Sequence, residues 1–324
     1  MSTKTTSPVS EEVPGTAKTD LGLAAAGADA PSPAGTLLSG PTLGTEQRPL
    51  PDLDPGTTSE ATREELLREF GEEYLSIQAL FHFCFVPTGR VSFLRDLATG
   101  EEWGDNSYVL LKYLAVHVRL AIEQGAYVWN GEQLVMTAGR LTTPNGTPIY
   151  LGLVRNQDVG QNPWVMNWVG ERPSCAELPE PPRLPRWPTL RTDAEIVVAA
   201  DLVDPERRGA LKVLDGLPLA AQASAIAGAV HWSIHRGLAV PQLHGGSRGF
   251  FVPLFFRQRE DISLAPDAAV PIVCVGSRIV VRAVLDPHVC YPSARSLVER
   301  FEQLPTWLVD AWEAHHEPEA PADE

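Results

Sequence analysis

Every Phe, Trp and Tyr of this chain lies beyond residue 58, and that segregation decides where a core can form. Residues 1–58 hold eight prolines and no aromatic side chain of those three types. Such a stretch buries too little apolar surface to offset chain entropy, so a disordered tail is expected there. Residues 313–324 read the same way, with Glu317, Glu319, Asp323 and Glu324. The intervening 59–312 has ample apolar residues for a core and is expected to fold as one domain.

Charge follows the same division. The net charge is −15, with three Lys/Arg against seven Asp/Glu in residues 1–58 and five acids with no Lys or Arg in 313–324. Most of the acidity therefore belongs to the termini. The near balance left to 59–312 argues against a broad nucleic-acid footprint but allows a local basic pocket. No apolar run reaches the ~18–20 residues that span a bilayer, and the N-terminal stretch lacks the apolar segment of a signal peptide. A cytoplasmic protein without a membrane partner is expected. Cys84, Cys175, Cys274 and Cys290 are widely spaced with no CxxC pair, which predicts free thiols rather than a zinc site or a disulfide.

Periodicity predicts a first helix over Glu60–Glu73 capped by Ser59. The aromatic run Leu80–Val86 reads as a buried strand or a helix end, and Ser92–Ala98 as a short helix. Asn106–Gln124 is a clear helix closed by Gly125, largely buried, with a narrow polar strip of Lys112, Arg119 and Glu123. Short strands follow at Tyr127–Trp129, Gln133–Thr137 and Pro148–Val154, with Asn145-Gly146 as a hairpin signal. Pro173–Pro188 is dense in proline and is expected to be irregular. After a strand at Ile196–Ala199, the helix Leu219–Arg236 carries the stripe Ile226, Val230, Ile234. Two hairpins are then expected, Val240–His244 with Gly249–Phe256 and Val270–Val275 with Arg278–Leu285. A helix Pro292–Phe301 and another at Thr306–Ala314 finish the domain. Two strand groups joined by short hairpins rather than βαβ crossovers predict an α+β fold with a mainly antiparallel sheet and packed helices.

Motifs narrow the chemistry mostly by exclusion. There is no P-loop, GxGxxG or HExxH, and nothing calls for a cofactor or metal. The glycine-rich string Gly245–Gly249 falls between two strands and reads as a hairpin turn rather than a phosphate cradle. His231 and His235 stand four apart on one helix, off its apolar stripe, and read as an exposed polar face rather than metal ligands. His82 and His117 are expected in the core, as are Trp129, Trp164, Trp168 and Trp187, with base stacking as the alternative. Arg295 falls in the predicted first turn after Pro292, where the helix dipole disfavours a cation. A solvated arginine at a helix start is the plain reading, and an anion bound by free N–H groups, Ser293 and Arg295 is the alternative.

These segments carry a resemblance. Leu80–Phe85, Leu134–Asn156 with Pro148-Ile149-Tyr150, Gln161-Asn162-Pro163-Trp164, Ala239-Val240-Pro241-Gln242 and Tyr291–Arg295 occur in the order and spacing of the domain of unknown function 3825 family, over most of 75–300. The family's Asn-Thr-Gly-Leu signature is similar to Thr137-Ala138-Gly139-Arg140-Leu141, which keeps the glycine, lacks the Asn and brings in an arginine. Its Ala-Tyr-Asn-Asn-Ala-Arg segment resembles Cys290-Tyr291-Pro292-Ser293-Ala294-Arg295. Because some members are joined to small RNA-binding modules, the resemblance implies RNA-linked work.

Three functions are open at this stage. The first is a domain that binds RNA ends or nucleotides, with Arg140, Gln242 and Arg295 on the phosphate or base and Asn156 and Trp164 as walls. Gly139, His244 and Tyr291 complete its candidate ligand-binding set. The second is a hydrolytic enzyme acting on such a ligand, with His244 or His231 as acid or base. The third is a non-catalytic protein-interaction domain with the N-terminal segment as a tether. The first requires Arg140 and Arg295 to meet in one cleft.

Overall fold

A computed structural model describes residues 60–71, 76–98, 100–101, 103–129, 132–157, 162–175, 177–199, 202, 209–244, 247–257 and 265–316. The expected tail over 1–58 and the expected cap Ser59 lie outside them. All described residues belong to one compact unit, 43–324.

The fold is α+β, with seven α-helices and two five-stranded sheets among the described residues. The first half supplies α1 (Glu60–Phe70), α2 (Ile77–Phe83), α3 (Thr88–Leu97) and α4 (Tyr108–Gln124). Its strands are β1 (Cys84–Phe85), β2 (Tyr127–Trp129), β3 (Gln133–Thr142), β4 (Pro148–Arg155) and β5 (Trp164–Gly170). They lie in the order β1-β5-β4-β3-β2. Only β1, beside β5, is parallel to its neighbour in this sheet. The second half supplies β6 (Glu195–Val198), α5 (Leu219–His235), β7 (Val240–His244), β8 (Ser247–Leu254), β9 (Ala268–Val275) and β10 (Arg278–Val281). Here the order is β6-β10-β9-β8-β7, with β6 parallel to β10 and the other pairs antiparallel. Two short helices follow, α6 (Tyr291–Arg295) and α7 (Thr306–His316).

Alternation along β3 sends Leu134, Met136 and Ala138 into the main core, and α4 packs Val109, Leu110, Tyr113 and Leu114 into the same core. A second core forms where the stripe Ile226, Val230 and Ile234 of α5 meets Phe250, Val252 and Ile272 of the second sheet. The cores are not independent, because Val240, Phe251, Phe255 and Ala269 from the second half are buried in the first.

Several elements depart from the sequence reading. The run Leu80–Val86 is both things that were open, the end of α2 and then β1. His82 is exposed, because α2 turns Ala79, Leu80 and Phe83 inward and leaves His82 outside. Helix α4 starts at Tyr108 rather than Asn106, since Asn106 and Ser107 take left-handed conformations with φ of 52° and 58°. Instead of running to Phe301, α6 stops at Arg295. The Ser296 carbonyl lies 3.1 Å from His117 Nε2, and the Ser296 hydroxyl turns back to donate to Ser293 O at 2.8 Å. At the other end, α7 continues to His316, past residue 313 where the acidic tail was expected to begin.

Candidate functional site

Helix α4 places Tyr113 and His117 one turn apart, with their rings stacked at 4.0 Å. Strand β3 passes directly over them. At Gly139 the strand has φ +61°, and a Cβ there would lie 2.5 Å from the His117 ring and 2.6 Å from the Tyr113 oxygen. The glycine is therefore required twice, by its backbone conformation and by close approach. The register of β3 against β4 shifts between Thr137 and Thr142, which lets the Arg140 N–H donate to the Tyr113 oxygen at 2.7 Å. Burial pushes the Tyr113 hydroxyl up to about 12.

Beside this stack lies Arg295. It is 1 % exposed, and its Nε and Nη2 donate to the two carboxylate oxygens of Glu101 at 2.6 Å each. The guanidinium carbon is also 5.0 Å from the Tyr113 ring and 5.6 Å from that of Trp103. Burial pulls the Arg295 pKa down, but the hydrogen bonds and charge of Glu101 outweigh it and hold the group above its ordinary value. Arg295 is therefore not a solvated arginine, and its partner is an internal carboxylate rather than a bound anion. The helix-start site expected around Ser293 does not form, because α6 has five residues and Arg295 faces the core.

Arg140 and Arg295 nevertheless line one cavity of about 220 Å³, with Glu101 and Leu141–Pro144, Gly146, and Glu299–Glu302. Arg295 with Glu101 lines its inner part. One wall is the end of β3 and the turn around Gly146, and the other is the segment after α6. Arg140 Nη1 meets Glu299 Oε1 at 2.9 Å, while Arg140 Nε is buried without a hydrogen-bond partner. The Thr143 side chain is 2 % exposed, and its Oγ1 also has no partner. Arg300 and Glu302 are exposed on the rim.

The other candidates do not join this cavity. Trp164 pairs with Arg155, next to the Gln133–Val154 pair. Arg140 is seven residues further along β3, roughly 20 Å away at about 3.3 Å per residue. Trp164 is buried, with Nε1 donating to Glu69 at 2.9 Å, and it serves as a core clamp rather than a wall. Asn156 sits at the same far end, its backbone N–H donating to Pro163 O. Tyr291 is buried and stacked on Trp312 at 4.8 Å. Gln242 is half-buried on β7, which packs against α6, but it does not line the cavity. The side chain of His244 lies outside the described residues. His231, weighed for acid–base work, is exposed on α5 and is not in the cavity lining.

Gly249 in the glycine-rich string is required by close approach of Ile272 O on the neighbouring strand, which is a packing role. That string also spells GxSxG. In a hydrolase elbow the serine stands on a strand-to-helix turn, whereas Ser247 opens β8 opposite His244 in a hairpin. Among the described residues no group of three or more His, Cys, Asp or Glu is placed to hold a metal, and no helix is long and apolar enough to cross a membrane.

Sequence reasoning missed Glu101, Thr143, Glu299 and Arg300. Each is an ordinary polar residue in an irregular segment or turn, and none has a local pattern that marks it. No protein-family model, curated protein or solved structure matches this chain. Function is therefore argued from the cavity alone.

Proposed function

We propose that this domain binds a nucleotide or the phosphate-bearing end of an RNA, with the phosphate taken up in the cavity between β3 and the 299–302 segment. The observation that carries the reading is Arg140 in the cavity lining, its guanidinium paired through one contact with the half-exposed carboxylate of Glu299. A phosphate supplies acceptor oxygens for the Arg140 guanidinium in a charge-assisted contact. Arg300 adds a positive charge at the rim, where Glu302 also stands.

Size favours an end group over a whole ligand. The cavity, about 220 Å³, is smaller than the ~300–1,000 Å³ of pockets that enclose complete small molecules. A single local contact also suits the near balance of charge outside the termini, since it needs no extended basic surface.

The test is fluorescence anisotropy with two short oligoribonucleotides of identical sequence, one 5′-phosphorylated and one with a 5′-hydroxyl. The phosphorylated probe is expected to bind more tightly. Arg140→Ala is expected to weaken it about ten- to a hundredfold, the worth of a charge-assisted hydrogen bond. Equal affinity for the two probes, or no effect of Arg140→Ala, would sink the reading.

A further inference from the structure

Two arginine–glutamate pairs line the cavity, and they differ in kind. Arg295 and Glu101 are 1 % and 6 % exposed at the side chain and bond through two parallel contacts at 2.6 Å. Breaking such a pair strands a charge in the core, so it is a fixed part of the wall. Arg140 and Glu299 share one contact at 2.9 Å, with the arginine 29 % and the glutamate 52 % exposed. An exposed single-contact pair contributes little to stability and is easily given up. Of the two arginines, only Arg140 is readily exchanged between partners.

Glu299 is also set to move without its backbone. Its own N–H and that of Arg300 both donate to the Gln303 side-chain oxygen, at 2.9 and 3.3 Å. That pins the turn. The more exposed Glu299 carboxylate stands on the solvent side of the pair, and rotation of its side chain alone frees Arg140.

We infer, building on the phosphate-end reading, that Glu299 is a resident competitor that occupies Arg140 until a more highly charged anion displaces it. The exchange sets the selectivity. A phosphodiester carries one negative charge, as does the carboxylate it would replace, so the exchange gains little. A terminal phosphomonoester carries ~1.5–2 negative charges at neutral pH and so gains more from Arg140 than the carboxylate it replaces. Glu299 thereby suppresses binding of internal backbone phosphates and leaves the cleft to chain ends and mononucleotides.

The experiment compares the wild-type protein, Glu299→Gln, Glu302→Gln and Arg140→Ala against the same phosphorylated and hydroxyl-ended oligoribonucleotides. Glu299→Gln is expected to bind both probes about two- to fivefold more tightly, with the larger gain on the hydroxyl-ended probe and so a smaller ratio between them. Glu302→Gln, which removes a rim carboxylate not paired to Arg140, is expected to leave the ratio unchanged. If Glu299→Gln binds no more tightly while Arg140→Ala still abolishes the preference, the competitor role falls and the phosphate-end reading stands. An equal change in Glu302→Gln also overturns the competitor role, since bulk charge then explains it. If neither wild type nor Glu299→Gln binds either probe, both readings fall.

Discussion

Burial and the neighbouring Arg295 guanidinium push the His117 imidazole from 6.5 down to about 3, so the ring is neutral in the folded domain. As a donor from Nε2 to the Ser296 carbonyl it leaves Nδ1 as a bare acceptor, and Nδ1 is buried without a partner beside Gly139. The linkage has a definite sign. Between pH 6.5 and about 3 the unfolded chain takes up a proton at this residue and the folded chain does not. Stability is complete above that window and falls as pH drops through it, by on the order of 1 kcal/mol per pH unit. Urea denaturation at pH 7, 6 and 5 is expected to show the decline, and His117→Gln to show a flatter one. Identical slopes in the two proteins would mean the imidazole is not held neutral. At this scale the sequence was partly legible. Arg295 was singled out by its place after Pro292, and Gly139 through the resemblance. Their roles did not follow, because Arg295 answers to Glu101, 194 residues away in an irregular segment, and no local pattern encodes that meeting.

Among the elements, α1 is tied to the first sheet by a polar cluster at the sheet's far end. Arg155 at the end of β4 donates from Nη1 to both Glu69 oxygens at 2.6 and 2.8 Å and from Nη2 to Glu65 at 3.0 Å. Its guanidinium carbon stands 4.9 Å from the Trp164 ring, whose Nε1 also donates to Glu69. Beneath this cluster Leu66 and Phe70 are buried. Glu69→Ala removes the shared acceptor and leaves Trp164 Nε1 unmatched in the core, which is expected to destabilise the domain by about 1–3 kcal/mol. Hydrogen exchange should accelerate most in the amides of α1. Affinity for the phosphorylated probe should not change, because the cavity is at the other end of β3. Faster exchange spread evenly over the domain would argue against a local clamp. Helices α4 and α5 were legible because an apolar stripe and a C-terminal glycine mark each one. Helix α6 was misjudged because no glycine or proline marks its stop at Arg295, and β1 was ambiguous because two residues are too few for periodicity to register.

Across the whole molecule, the α+β class followed from strand spacing and hairpin signals, whereas the division into two sheets with linked cores did not. Which strands join which sheet depends on pairings such as β6 beside β10, formed between segments about 80 residues apart in sequence. The linkage is physical. Phe251 and Phe255 come from the second half of the chain yet are buried in the core built on α4 and β3, and Phe255 also packs against Trp232 at 5.7 Å. Losing either half strips apolar cover from the other, so the two are expected to unfold together despite having separate sheets. Near-UV circular dichroism, which senses tryptophans in both halves, and far-UV circular dichroism should give superimposable urea transitions. Phe255→Ala, which opens a cavity at the junction, is expected to cost about 3–5 kcal/mol and to move both transitions by the same amount. If the two probes separate in the wild type, or if the substitution shifts only one, the sheets are independent folding units and the shared core is only a contact surface.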